Sequence, residues 1–299
     1  MKILYASQSF YPSVGGVSYY LLWLCRRLRR MGHQVHVVHL GPPKLPVEDK
    51  VEGIRVHRIS ALNIDIEVLR KYLRFRERLW KAFHGMEVEE AESVEDVYGF
   101  DGYEAINSMY AERIRALHHE HGFDLMHFHD FQMLLLGKML SELEVPKVFT
   151  WHIPFTKEAP DRWKEFVIDH LRRYDVVVFS TKHYLRDAVL SGMGWDRVFC
   201  IPPFVDVDRP EKNEFRQKYS IGEKDRIVLC VARMDPLKDH PTLIHAMRKV
   251  VDEVGKDVKC VVIGNGSLSK EVLKVKERIA YEEGLKQLVK ELGLEENVI

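Results

Sequence analysis

Short apolar runs along the chain alternate with longer stretches in which apolar positions recur every three or four residues. The runs read as buried strands and the longer stretches as amphipathic helices. Their alternation predicts an α/β protein built on parallel sheet. Ile3 to Ala6 is the first strand, ending in the loop SQSFYPSVGG. A helix begins near Val17, with Leu21, Leu24, Leu28 and Met31 following at helical spacing and Gly32 placed to end it. Val35 to His39 is the second strand and completes a βαβ unit. A third strand at Ile54 to Ile59 is followed by a mostly helical insertion over about 62–122. Further strands are predicted at Asp124 to Phe128, Val148 to Trp151, Asp175 to Phe179 and Val198 to Ile201. Polar residues gather at the carboxyl ends of these strands: His129 and Asp130, then His152, then Ser180 and Thr181. In open α/β sheets ligands bind at those ends.

Residues 202–225 read as a linker with a short helix, and a domain boundary falls there. This predicts a first Rossmann-like domain over 1–205, a linker over 206–225 and a second domain over 226–299. In the second, a strand at Arg226 to Ala232 leads through the loop Arg233 to Asp239 into a helix reaching about Val254. A strand at Val258 to Ile263 ends in Gly264, Asn265 and Gly266. A long charged helix over Leu268 to Leu292 then leads toward a further strand near the last residues. So few strands make a thin doubly wound domain, and an open sheet edge is expected to seek a partner.

Charge and composition narrow the function classes. Lysine plus arginine number 45 and aspartate plus glutamate 45, a net charge of zero that argues against a nucleic-acid binder. Hydrophobic residues at 46% support an ordinary core. No apolar run approaches the ~20 residues that span a bilayer. The amino terminus reads as a strand and not as a signal peptide, so a cytoplasmic protein is expected. The insertion carries an apolar stripe of Leu69, Tyr72, Leu73, Leu79, Trp80 and Phe83, surrounded by Arg70, Lys71, Arg74, Arg76, Arg78 and Lys81. Such a helix can lie on an anionic membrane, line an acceptor groove, or pack on the core with a charged outer face. The acidic stretch Glu87 to Asp96 is placed to neutralise it. Cys25, Cys200, Cys230 and Cys260 sit among apolar residues in no metal or redox spacing, and read as reduced core thiols. His118, His119 and His121 share one helix and read as solvated surface, because no cysteine or carboxylate pattern there completes a metal site.

Four sets of residues are candidates for chemistry. Gly15 and Gly16 follow the first strand and open a helix, where backbone N–H groups can meet a phosphate; a tight turn explains them equally. Their spacing is not GxGxxG and no acidic residue ends the second strand, which disfavours a hydride-transferring dinucleotide fold. Arg233 and Lys238 share one loop between a strand and a helix and suit a diphosphate, or are two solvated cations. Gly264 and Gly266 give close backbone approach to a ligand, or form a turn. His129, Asp130 and His152 can exchange hydrogen bonds with a sugar hydroxyl, or are satisfied loop residues. Taken together they predict phosphate binders on the second sheet and hydroxyl binders on the first, facing one cleft that holds a nucleotide-linked small molecule.

The order of these segments resembles the retaining glycosyltransferases of GT-B fold, glycosyltransferase family 4 in particular. The resemblance rests on FYPSVGGVSYY, FDLMHFHDFQ, VFTWHIPF, IPPFVDVDRP and VARMDPLKDHPTLIHAM and spans almost the whole chain. The FHD and VFTWH segments are similar to those of glycogen and starch synthases. PPFVD with ARMDPLKD is similar to the trehalose-synthesising transferases of heat-loving microbes. The resemblance implies transfer of a hexosyl group from a nucleotide-diphosphate sugar to a sugar or glycan acceptor with retention. It implies that Gly15 and Gly16 approach the donor phosphates, Arg233 and Lys238 hold the diphosphate, and Gly264 and Gly266 lie under the nucleotide. Asp130 and His152 would contact the transferred sugar, with His152 near the reacting carbon, and no metal or other cofactor would be required. The family carries a later segment with a spaced pair of glutamates, which no part of these 299 residues matches. The expectation is therefore a catalytically incomplete half-enzyme, a sugar-binding subunit or remnant completed by a second chain or working as a homodimer, as the alternative to an active transferase. A sugar-nucleotide epimerase of the same shape is a third reading.

Overall fold

The computed structural model describes residues 1–13, 15–42, 44–88, 91–206, 214–264 and 272–299, with the backbone alone over 272–278. The chain divides into two units, Met1–Asp206 and Val207–Ile299. The first unit runs β1 (Lys2–Ser7), α1 (Gly16–Arg30), β2 (Gln34–Gly41), β3 (Glu48–Val51), β4 (Ile54–Ser60), α2 (Ile66–Ala82), α3 (Phe100–His121), β5 (Leu125–His129), α4 (Leu136–Met139), β6 (Lys147–Trp151), α5 (Asp161–Leu171), β7 (Val176–Phe179), α6 (Lys182–Leu190) and β8 (Val198–Cys200). Its eight strands form one sheet in the order β3-β4-β2-β1-β5-β6-β7-β8. All neighbours are parallel except β3 with β4.

Strand β1 shows why the fold takes this form. Ile3, Leu4, Tyr5 and Ala6 are all buried, as a strand covered on both faces requires. Successive side chains point to opposite faces. Leu4 and Ala6 accordingly join a core with Tyr72, Phe75, Tyr103 and Tyr110 from α2 and α3. Ile3 and Tyr5 join a second core with Leu21, Leu22 and Cys25 from α1. The strand order reverses at β1, with β2 on one side and β5 on the other.

The basic helix of the insertion is α2, and of its three expected placements the structure has the core-packed one. Tyr72, Phe75, Leu79 and Ala82 are buried. Its outer cations pair locally: Arg70 with Glu67 at 2.6 Å, Lys81 with Glu77 at 3.4 Å, and Lys71 with Asp101 of α3 at 2.5 Å. The Asp65 carboxylate caps the helix by accepting from the N–H groups of Glu67 and Val68. Helix α3 lies against α2 at a glycine: a Cβ on Gly102 would come within 2.7 Å of Tyr72 N and Val68 O. Strand β3 has no counterpart in the sequence reading. Its sequence EDKV has no apolar alternation, and it holds its place as a short charged edge strand, the kind that resists further pairing.

The second unit contains α7 (Phe215–Lys218), β9 (Arg226–Val231), α8 (His240–Val254), β10 (Val258–Ile263) and α9 (Val272–Glu291). Strands β9 and β10 are parallel, in register from Arg226 opposite Val258. Residues 297–299 extend this pairing, with Cys260 N–H donating to Asn297 O at 2.6 Å and Ile299 N–H to Cys260 O at 2.8 Å. A small core of Ile244, Met247, Val251, Val258, Cys260 and Leu294 covers one face. On β9, Leu229 and Val231 are 56% and 70% exposed. Of the four cysteines, all free, Cys25 and Cys260 are buried as expected, whereas Cys200 and Cys230 are only half-buried, at strand positions not covered by a core. Among the described residues no helix is long and apolar enough to cross a membrane.

Candidate functional site

The reversal of strand order at β1 opens a crevice at the carboxyl edge of the first sheet. Three chain segments reach it. After β1, Gly15 caps α1, and the first turn of the helix has neither an acidic residue nor a side-chain cap. Its N–H groups and partial positive charge are therefore open to an anion. A Cβ on Gly16 would meet no heavy atom within 4 Å, so the space above that backbone is clear. One turn further on, the Tyr20 ring stands edge-on to His152, with centroids 5.3 Å apart. The Ser9 and Ser18 hydroxyls, 2.9 Å apart, link the loop to the helix.

After β5 the backbone turns through Asp130 at φ 70°, in a region that side chains rarely occupy. Such strain costs about 1–3 kcal/mol and persists where the surroundings over-determine it. Here the Asp130 N–H donates to Thr150 O at 2.8 Å, and a carboxylate oxygen accepts from the His152 N–H at 3.2 Å. The Asp130 carboxyl is buried, and burial pushes its pKa up to about 6. Hydrogen bonds from the N–H groups of His152, Phe131 and Ile153, and the charge of Arg76 on α2, act in the opposite direction. Asp130 thus clamps the end of β6 to the end of β5.

After β6 comes His152, whose Nε2 is 2.9 Å from Nδ1 of His129. His127, two residues before His129, is bonded to the Thr150 hydroxyl at 2.8 Å. Burial pushes His152 down to about 4 and His127 to about 3, and holds His129 well below its usual range. The pair is therefore neutral at neutral pH, with one ring donating its hydrogen to the other. Such an arrangement presents His152 as an oriented hydrogen-bonding group and not as a cation. The aromatic wall continues from Tyr20 to Phe204, with centroids 5.5 Å apart.

The structure brings Gly15, Gly16, Asp130 and His152 to one edge of one sheet. Arg233, Lys238 and Gly264 belong to the second unit. Arg233 follows β9, is 46% exposed and pairs with Asp235 at 3.2 Å. Lys238 ends the short helical turn Pro236–Lys238 and is exposed. Asp235 opens that turn by accepting from the Leu237 N–H at 3.2 Å. A Cβ on Gly264 would fall 1.9 Å from Ala232 O, so the glycine is demanded first by the close approach of the chain's own two strand ends. Gly266 lies outside the described residues.

Tyr20, His127, Thr150 and Arg76 join the site although the sequence does not single them out for it. Tyr20 has a signal, since it sits one turn after Gly16 and so on the same helix face. Arg76 has none, being one of six cations around a stripe. A cavity of about 700 Å³ lies elsewhere, lined by Met86, Val88, Val94, Val97, Pro160 and Trp163 among others, and contains none of these groups.

The sequence profile described as a glycosyl transferase 4-like domain matches residues 15–203. The chain belongs to this glycosyltransferase family. A second profile, glycosyl transferases group 1, matches residues 211–299. An uncharacterised glycosyltransferase of Methanocaldococcus jannaschii is 23% identical over 98% of this chain and 69% of its own length. A trehalose synthase of Rubrobacter xylanophilus is 23% identical over 54% of this chain and 40% of its own. Among solved structures, a UDP-forming α,α-trehalose-phosphate synthase from Burkholderia xenovorans, in complex with glucose-6-phosphate, superposes with a TM-score of 0.74. That match covers 100% of this chain and 74% of the synthase at 15% identity, which establishes the fold. The chain is a GT-B glycosyltransferase of the family-4 type, similar to trehalose synthases.

Proposed function

We propose that the protein moves a hexosyl group from a nucleotide-diphosphate sugar to a sugar or glycan acceptor, with retention at the anomeric carbon. The observation that supports this most is the neutral His129–His152 pair, held by strained Asp130 beside an uncapped helix start, in a chain of this family. A neutral imidazole suits a sugar hydroxyl, and an open helix start suits a phosphate. In this reading His152 bonds the transferred sugar. Asp130 is a positioning residue that acts through the His152 backbone, because its carboxylate is buried and already accepts from it. Gly15 and Gly16 admit the donor phosphates to the start of α1. Arg233 and Lys238 hold the diphosphate, each charge-assisted hydrogen bond contributing about 1.5–3 kcal/mol. Their charge grows in importance as the leaving group departs, which lowers the barrier without requiring a metal ion. Gly264 and Gly266 lie at the nucleotide end of the donor.

The test is radiolabelled transfer from UDP-, ADP- and GDP-sugars to glucose, glucose 6-phosphate and maltodextrin, with the product anomer assigned by NMR. UDP-glucose with glucose 6-phosphate is the first pair to try, given the solved synthase. A glycoside of unchanged anomeric configuration is the expected product. An inverted product, or conversion of the donor sugar in the absence of acceptor, would overturn the reading in favour of an inverting transferase or an epimerase.

A further inference from the structure

A second cluster of histidines lies on the face of the first sheet covered by α3, where that helix ends and β5 begins. His36 is in β2, His57 in β4 and His121 in the last turn of α3. One ring nitrogen from each lies within 4.8 Å of the other two. His36 and His57 are 1% and 4% exposed, and His121 is half-buried. The hydrogen bonds fix the tautomers. His57 Nδ1 is 2.5 Å from a carboxylate oxygen of Glu48, which accepts, so that nitrogen carries the hydrogen. His57 Nε2 is then a lone pair, and it accepts from His36 Nδ1 at 2.9 Å. His36 Nε2, at the far end of its ring from His57, is buried with no hydrogen-bond partner.

We propose that His36, His57 and His121 together bind one divalent transition-metal ion of the zinc class, with Glu48 as the outer carboxylate that orients His57. Imidazole donors suit zinc, copper, nickel or cobalt, not magnesium or calcium. A histidine that ligates through one nitrogen and donates from the other to a carboxylate is the usual support of such sites. The ion would take the place of the hydrogen now shared between His36 Nδ1 and His57 Nε2, 2.9 Å apart, with His36 then carrying its hydrogen on Nε2; zinc–nitrogen bonds of about 2.0–2.1 Å ask for nitrogens about 3.3–3.4 Å apart. Glu48 and Glu120 bring negative charge to the cluster; Lys2 and Arg55 bring positive charge. The ligands come from two neighbouring strands and the helix that precedes β5. The ion would therefore pin α3 to the sheet, and it would have no part in sugar transfer.

The experiment uses the full chain, stripped with chelator and then dialysed against Zn2+ at neutral pH. Metal analysis is expected to give one retained zinc per chain. Thermal unfolding is expected to rise by about 5–10 °C at a hundredfold excess over Kd, with no rise in Mg2+. His121→Ala, at a half-buried position, is expected to lose the zinc-dependent rise, and Glu48→Gln to bind zinc about 10–100-fold more weakly. His119→Ala, exposed on the same helix, is expected to bind as the parent does. Stripped Co2+-loaded protein is expected to show the visible d–d bands of a tetrahedral site. No retained zinc, or equal retention by the parent, His121→Ala and Glu48→Gln, would overturn the proposal. Glu48→Gln changes only an exposed side chain, so the test stands even where His121→Ala fails to fold.

Discussion

The first unit keeps the polar groups of its candidate site buried and its site histidines neutral, whereas the second keeps its own exposed and charged. His129 and Asp130 are 0% and 5% exposed, while Arg233 is 46% exposed. The difference follows from what each sheet can cover. The eight-stranded sheet has helices on both faces, so groups at its strand ends are dehydrated, and their protonation states are set by burial. The two-stranded sheet leaves β9 open to solvent, so the cations beside it stay solvated. Buried neutral groups orient a ligand through hydrogen bonds that salt does not weaken. Exposed cations attract an anion strongly, but in a way that salt screens.

The largest expected effect tests the charged half. Replacing both Arg233 and Lys238 by alanine is expected to lower transfer by about a thousandfold, in the range seen when developing charge loses its donors. Donor affinity should fall at least tenfold by calorimetry, and the loss should shrink as salt is raised in the parent. His152→Ala is expected to cost about a hundredfold in kcat with donor affinity unchanged and no added salt dependence, because it removes a neutral contact. A salt-sensitive His152 effect would erase the contrast between the units.

A smaller effect separates the units by pH. His36, His39, His57, His127 and His152 have pKa values lowered to about 3, 4, 4, 3 and 4. A group whose folded pKa is depressed binds its proton more readily when unfolded. Its contribution is full above the unfolded value near 6.5 and is lost as the pH falls toward 4, by up to ~1.4 kcal/mol per pH unit per group. Asp130 runs the other way: its folded pKa, raised to about 6, makes ionisation costly as the pH climbs from 4 to 6. Five histidines outweigh one aspartate, so the first unit should lose stability between pH 6.5 and 4. All five tryptophans lie in that unit, so tryptophan fluorescence during urea unfolding at pH 7 and pH 5 reads it alone. Equal midpoints at the two pH values would show that these histidines are not held neutral. The smallest effects concern packing and surface charge. Gly102→Ala is expected to destabilise by about 1–3 kcal/mol through its clash with the α2 backbone. Arg70→Ala should change stability by under ~0.5 kcal/mol, since its pair is exposed.

A linear sequence makes visible what a continuous run or a fixed spacing encodes. Strands β1, β6 and β10 are apolar runs, and the residues just beyond them, Gly15, Gly16, His152 and Gly264, can be placed at sheet edges from the sequence alone. The stripe of α2 is equally plain, but its destination is not, because a basic amphipathic helix satisfies its apolar face on a core or on a membrane alike. Strand β3 leaves no trace, since an edge strand of three charged residues and one valine owes its place to pairing with β4. The trio of His36, His57 and His121 is invisible for a different reason. Its members are assembled from two strands and a helix by sheet order, and His121 read beside His118 and His119 belongs to the solvent. Arg76 shows the same limit: only the packing of α2 tells it apart from its neighbours.

The place of β1 also shapes how the chain is made. Its neighbour β2 follows at once, but its other neighbour β5 begins at Leu125, after the whole α2–α3 insertion. At about 5–20 residues per second, a ribosome needs roughly 4–17 s to travel from the end of β2 to the start of β5. During that interval the central strand of the future sheet has one hydrogen-bonding edge bare, and one apolar face waiting for α2 and α3. The newborn first unit is therefore most exposed to mispairing before its sheet can close around the strand on which the candidate site is built.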